Sequence, residues 1–184
     1  RVWVNATGDG FTPNDTLENL IVRNTQNVSP VSIPYAQNFN SFIPPNFNNG
    51  WSTDRTGFVF RWESENSGVQ NNTSTGPIGD HGGNGQLGTG IYIYTEASNT
   101  GFDPSAISPC IDLSNNSGAR MSFWYHKYGS GMGNLFVDVY DGNGWINGVD
   151  QILGQTQTSE TDLWREKEVS LNAYAGRRIK IRFR

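Results

Sequence analysis

The stretch Arg120–Tyr140 reads RMSFWYHKYGSGMGNLFVDVY, two alternating runs on either side of a glycine-rich turn. In Arg120–Tyr128 an extended chain puts Met121, Phe123 and Tyr125 on one face and Ser122, Trp124 and His126 on the other. In Asn134–Tyr140 it separates Leu135, Val137 and Val139 from Phe136, Asp138 and Tyr140. Period 2 in β-branched and aromatic residues is strand chemistry. The aliphatic faces predict a core, and GSGMG predicts a hairpin between the two strands. The opposite faces gather Trp124, His126, Phe136 and Tyr140. Two readings compete for them: packing beneath long loops, or an aromatic platform on which a sugar ring stacks.

Working outward, the same chemistry predicts strands at Arg1–Asn5, Leu17–Asn24, Tyr35–Phe39, Val59–Glu63, Ile91–Thr95, Ala106–Ile111 and Arg178–Arg184. Thr161–Leu171 is charged enough to suggest a helix. It has no cap and no 3.6-residue apolar stripe, so it too reads as mostly strand. Turn clusters separate the runs: PPNFNNG, NNTSTGPIGDHGGNG, SNNSG, GSGMG and DGNGWINGVD. Many short strands joined by such turns predict an all-β fold, an antiparallel β-sandwich of the jelly-roll kind.

Composition agrees. The 184 residues hold 22 Gly and 21 Asn, the turn-forming economy of a strand-rich chain. A net charge of −4 argues against nucleic acid and against an anionic membrane surface. No apolar run approaches the length of a membrane span, so no membrane insertion is expected. Cys110 is the only cysteine, which rules out an internal disulfide. After Pro109 it reads as a buried structural thiol.

Gly83–Gly88 fits G-x-G-x-x-G letter for letter. A dinucleotide cradle needs a helix after the glycines, because the helix N-terminus holds the pyrophosphate. Here Ile91–Thr95 follows, which is strand. The glycines therefore shape a loop around Asp80 and His81. Asp80 either closes an Asx turn or ligates a hard cation together with loop carbonyls.

Catalytic constellations are missing from the sequence. Two histidines and one cysteine form no zinc or nucleophile signature. Glu63 and Glu65 share a strand face and could mimic a glycosidase pair, but such pairs come from separated strands. No enzymatic activity is expected.

Several pieces now line up in order: FNSF, GWSTD and FRWESENSG, then GPIGDHG and GTGIYIYTEAS, then SPCIDLS, the opening stretch, and LWREKEVSL. Together they resemble the MAM domain, the jelly-roll module of meprins, neuropilins and receptor phosphatases. The end, Leu171–Gly176 through Ile179–Arg184, is similar to the cleaved-adhesin modules of Bacteroidetes surface proteins. The resemblance covers about Ile33–Arg184. It implies a non-catalytic adhesion or recognition module at the cell surface of a secreted Bacteroidetes protein. The partners implied are a protein or a glycan, or neighbouring modules of the same polypeptide. A carbohydrate-binding module attached to a hydrolase is the alternative. It also implies a structural calcium, with Asp80 and Asn40 as ligands; Asn40 stands where the family carries an acid. Residues 1–30 resemble the tail of an immunoglobulin-like module plus a linker, leaving 31–184 as the jelly roll. The family's closing C-terminal strand is not found before Arg184. Its slot is expected to be filled by Leu17–Arg23, by a partner's strand, or by further residues.

Overall fold

The computed structural model of the protein describes residues 2–3, 16–17, 29–54, 60–67, 74–82, 87–96 and 103–184. Fifteen strands appear among them: β1 (Val2–Trp3), β2 (Thr16–Leu17), β3 (Val31–Ser32), β4 (Ser52–Thr53), β5 (Trp62–Asn66), β6 (Asp80–His81), β7 (Leu87–Gly88), β8 (Ile91–Thr95), β9 (Ala106–Ile107), β10 (Ile111–Asp112), β11 (Arg120–Tyr125), β12 (Leu135–Tyr140), β13 (Trp145–Ile152), β14 (Arg165–Ser170) and β15 (Arg178–Phe183). A 3₁₀ turn at Asn172–Tyr174 interrupts them. The fold is all-β.

One layer is a seven-stranded sheet. Its path is β13-β12-β15-β10-β3, with β9 on the far half of β15 and β4 beyond β9. Every pair in it is antiparallel except β10 with β3. β15 reads RIKIRF, so Ile179, Ile181 and Phe183 all turn inward and are buried. Val137 and Val139 of β12 join them, as the alternation predicts. The second layer holds β11 paired with β14 and β5 paired with β8. The layers meet at Phe183. Its ring takes Phe123 edge-on at 4.9 Å and faces Trp51 and Trp62 at 6.3 and 6.4 Å. This is the sandwich that the opening stretch predicts.

Four expectations are corrected. GSGMG makes no hairpin: among the described residues β11 pairs only with β14, and β12 pairs with β13 and β15. The connection instead crosses between layers, and Lys127 fixes it. The Lys127 Nζ is buried and donates to the carbonyls of Gly133 and Ile152 at 2.6 and 3.1 Å. DGNGWINGVD is not one long turn, because from Trp145 onward it belongs to strand β13. Gly148 there adopts φ +63 within a bulge, opposite the register shift between Val137 and Val139. Ala106–Ile111 is not continuous. Pro109 lacks an N–H to pair, so the run splits into β9 and β10, and Cys110 between them is only half-buried. Tyr35–Phe39 is not strand, and the edge of the large sheet is β3. Of Leu17–Arg23, only Leu17 is described, and it pairs with Val2. Residues 18–28 lie outside the described residues.

Candidate functional site

Three loop segments converge on Gly90. Phe39 adopts φ +61, a left-handed conformation that costs a non-glycine residue about 1 kcal/mol. Ring packing against Phe42 and Trp51, both at 5.3 Å, offsets that cost. Side chains hold the turn as well: the Phe39 N–H donates to Gln37 Oε1 at 2.8 Å, and the Asn40 N–H to Asn38 Oδ1 at 3.1 Å. The turn aims Asn40 Oδ1 at β8, where it accepts the Ile91 N–H at 2.8 Å. Asp80 arrives from β6. Its N–H donates to Ser67 Oγ at 2.6 Å, and the Ser67 hydroxyl donates to the Gly90 carbonyl at 2.8 Å.

The glycines leave room for these oxygens. A Cβ on Gly90 would stand 2.2 Å from Asp80 Oδ2 and 2.3 Å from Asn40 Oδ1. A Cβ on Gly88 would stand 2.2 Å from Asp80 Oδ1. Neither position tolerates a side chain, because real contacts are never that short. Asp80 is 8% exposed, and its Oδ1 has no hydrogen-bond partner among the described residues. A buried carboxylate oxygen without a donor is costly. A hard cation would relieve that cost, and two converging oxygens, one of them charged, suit calcium. The residues present fit the ion. They give it a small charge complement: no group of three or more His, Cys, Asp or Glu that could hold a metal occurs among the described residues. Asp80 and Asn40, distant in sequence, are thus brought together. Ser67 was not legible, since a serine in ESENSG carries no signal of its own.

The glycine loop itself joins β6 to β7, with Asp80 opposite Gly88 and His81 opposite Leu87. β8 follows, and no helix. The dinucleotide reading fails on the order that the sequence already showed.

The four aromatic-face residues divide between two surfaces. The inward residues Phe123 and Phe183 face each other across the core, so Trp124 on β11 and Phe136 and Tyr140 on β12 point to opposite outer sides. The single platform of Trp124, His126, Phe136 and Tyr140 does not form. Trp124 stacks on the His81 ring at 4.0 Å and 17°. His126 lies 5.9 Å from Trp164, whose indole N–H donates to the Gly79 carbonyl at 3.0 Å. Burial pushes the His126 imidazole down to about 4, and it lowers His81 as well, against the pull of Asp80 and Glu166. On the other surface Tyr140 lies 5.6 Å from Trp145, and the Arg184 guanidinium covers Phe136 at 4.8 Å.

An open cavity of about 1580 Å³ reaches from Asp80 and β8 past β11 to Phe183 and Arg184 of the large sheet. Asn40, Asp80, His81, Tyr92, Trp124 and His126 line it. Glu63 and Glu65 share one face of β5 opposite Tyr94 and Tyr92. Glu63 pairs with Arg61 and accepts the Tyr94 hydroxyl at 3.1 Å. Burial raises Glu65, and it raises Tyr92 to about 12. The two carboxylates come from one strand and do not face each other across a gap, so they lack the geometry of a glycosidase pair.

A two-layer β-sandwich with loops gathered on one cavity is of the jelly-roll kind in its architecture. The MAM domain (meprin/A5/mu) family model matches residues 45–184, and the chain belongs to that family. It is 30% identical over 171 residues to neuropilin-1a of Danio rerio, covering 89% of this chain and 17% of the relative. It is 33% identical over 128 residues to neuropilin-1 of Homo sapiens, covering 67% of this chain and 13% of the relative. The chain thus spans less than a fifth of the curated relatives it matches. Among solved structures it is similar to the K1 cleaved adhesin domain of Lys-gingipain from Porphyromonas gingivalis W83. The identity is 19%, the TM-score 0.47, and the coverage 74% of this chain and 81% of that one. No helix among the described residues is long and apolar enough to cross a membrane.

Proposed function

We propose that this is a non-catalytic, extracellular adhesion or recognition module of a larger surface or secreted protein. Membership of the MAM family over residues 45–184 carries the reading. The domain begins at β3: Val31 and Ser32 pair within the large sheet, whereas β1 pairs only with β2 among the described residues. Calcium is its structural cofactor, held by Asp80 and Asn40 at Gly90. One carboxylate suggests the weak end of such sites, with a Kd of about 10⁻⁴–10⁻³ M.

The cleft favours a second reading, a carbohydrate-binding module serving an attached hydrolase. Tyr92 and Trp124 put rings at a concave surface that also carries Glu65 and Glu96, and aromatic faces suit sugar rings. A glycan and extracellular-protein array separates the two readings. Recognition predicts retention of the chain on at least one immobilised partner, and retention on none overturns it. If the partner is a glycan in the cleft, Trp124→Ala abolishes binding and Tyr140→Ala leaves it intact. Unchanged retention of Trp124→Ala removes the cleft from consideration.

A further inference from the structure

The outer face of the large sheet carries a row of cations. β15 alternates, so Arg178, Lys180 and Arg182 point outward, and Arg184 continues the series past the strand end. At about 3.3 Å per residue the row spans roughly 20 Å. Asp138 lies at its centre, fully buried. It accepts Arg182 Nε at 2.8 Å and Arg184 Nε at 2.9 Å. Arg178 pairs with Asp112 at 3.1 Å and keeps its side chain 64% exposed. Asp103 stands 3.9 Å from Arg184 at one end. Lys180 lies opposite Tyr140 and makes no ion pair among the described residues. Tyr140 stands beside it and Trp145 one strand further out, their rings 5.6 Å apart, with the Arg182 guanidinium 4.2 Å over the Trp145 ring. Arg178, Lys180, Arg182 and Arg184 outnumber Asp112, Asp138 and Asp103 by one, so the balance along the row is positive.

The surroundings narrow the partner. β15 is hydrogen-bonded along both edges, to β12 on one side and to β9 and β10 on the other. It offers no free backbone edge to which a peptide strand could add. A chain that binds here must lie across a flat face, using charged groups against the row and an apolar ring face against Tyr140. Sugars bearing anionic groups have both features.

We propose that this face binds an anionic polysaccharide, one carrying sulfate or carboxylate groups. The proposal rests on the recognition reading but uses the outer face of the large sheet around Arg178 and Lys180 rather than Trp124 and Tyr92. The test is retention of the intact chain on immobilised dextran sulfate, polygalacturonate, neutral dextran and polyglutamate. Retention at low salt on dextran sulfate or on polygalacturonate, with none on dextran, is the expected result. The matrix that retains the chain names the anionic group. Raising the salt should release it, because screening weakens exposed charge contacts. The double variant Arg178→Ser with Lys180→Ser should bind at least about tenfold more weakly, an order of magnitude typical of losing two steering charges, with an unchanged melting temperature. No retention of the native chain on either anionic polysaccharide overturns the proposal. So does equal retention of the double variant, or retention on polyglutamate as strong as on the polysaccharides. Loss here alongside Trp124-dependent binding on the array would leave the recognition reading standing and remove only this face.

Discussion

β15 and β8 have similar sequences and different circumstances. RIKIRF and IYIYT both alternate with bulky residues, yet β15 is paired along both edges while β8 pairs only with β5 among the described residues. Ile179 and Ile181 are 0% and 2% exposed; every residue of β8 stays half-buried. On the β15 side both strand edges are hydrogen-bonded, and the buried Asp138 finds its partners there. On the β8 side the cleft remains, and so does an unpartnered carboxylate oxygen on Asp80. Along its edges β15 is completed by the chain itself, whereas the Asp80 corner beside β8 keeps the open polar site described above.

The sharpest way to break this comparison is to remove a polar anchor from each side. Asp138→Ala strands two guanidiniums and the Gly148 N–H, which now donates to Asp138 Oδ1 at 2.7 Å. Breaking a buried pair in this way costs about 3–5 kcal/mol. Glu63→Ala on the cleft side removes one partly exposed ion pair with Arg61, worth about 0–1 kcal/mol. Thermal or denaturant unfolding of both variants checks the ratio. Equal losses would erase the distinction between the two sides.

Acid sharpens the comparison from the other direction. Burial lowers the His126 imidazole to about 4 in the folded chain, against an ordinary value near 6.5. Between those values the unfolded state binds the extra proton, so stability falls as pH drops from 6.5 to 4. The loss is on the order of 2 kcal/mol, allowing for partial exposure. Asp138 contributes only lower down, since its guanidinium and Gly148 partners outweigh burial and hold its carboxyl below the usual carboxylate value. Melting curves of the native chain and of His126→Gln from pH 7 to 4 read this directly. The variant is expected to flatten the upper part of the slope. An unchanged slope would mean that His126 is not the group that titrates.

Much of the architecture was legible because it rests on period 2. β8 and the inward residues of β11 and β12 follow from alternation alone. What failed was pairing. The GSGMG turn looks like a hairpin because glycine signals a turn but cannot say whether the chain stays in its sheet; the buried amine of Lys127 decides that. β13 was hidden because Gly148 serves a bulge against Asp138, and bulge glycines read as turn glycines. Tyr35–Phe39 has strand residues but is held as a turn by Gln37, Asn38 and the ring of Phe39. At the candidate site, Asp80 and Asn40 were nameable through the family resemblance. Their meeting at Gly90 depends on close approach to a glycine, which no spacing reveals. The aromatic platform failed for the same reason as the hairpin: strands adjacent in sequence sit in different layers.

The most direct test of the account is the melting temperature of the native chain and of Asp80→Asn, each in excess EDTA and in millimolar calcium. A ligand that binds only the folded state stabilises it by about 1.4 kcal/mol at ten times its Kd. The native chain should therefore melt a few degrees higher in calcium. Asp80→Asn should show no such rise. In EDTA the variant should be at least as stable as the native chain, because it removes a buried charge that lacks a partner. A native melting curve unmoved by calcium or EDTA, or an Asp80→Asn variant that responds to calcium like the native chain, would contradict the claim that Asp80 and Asn40 hold the ion at Gly90.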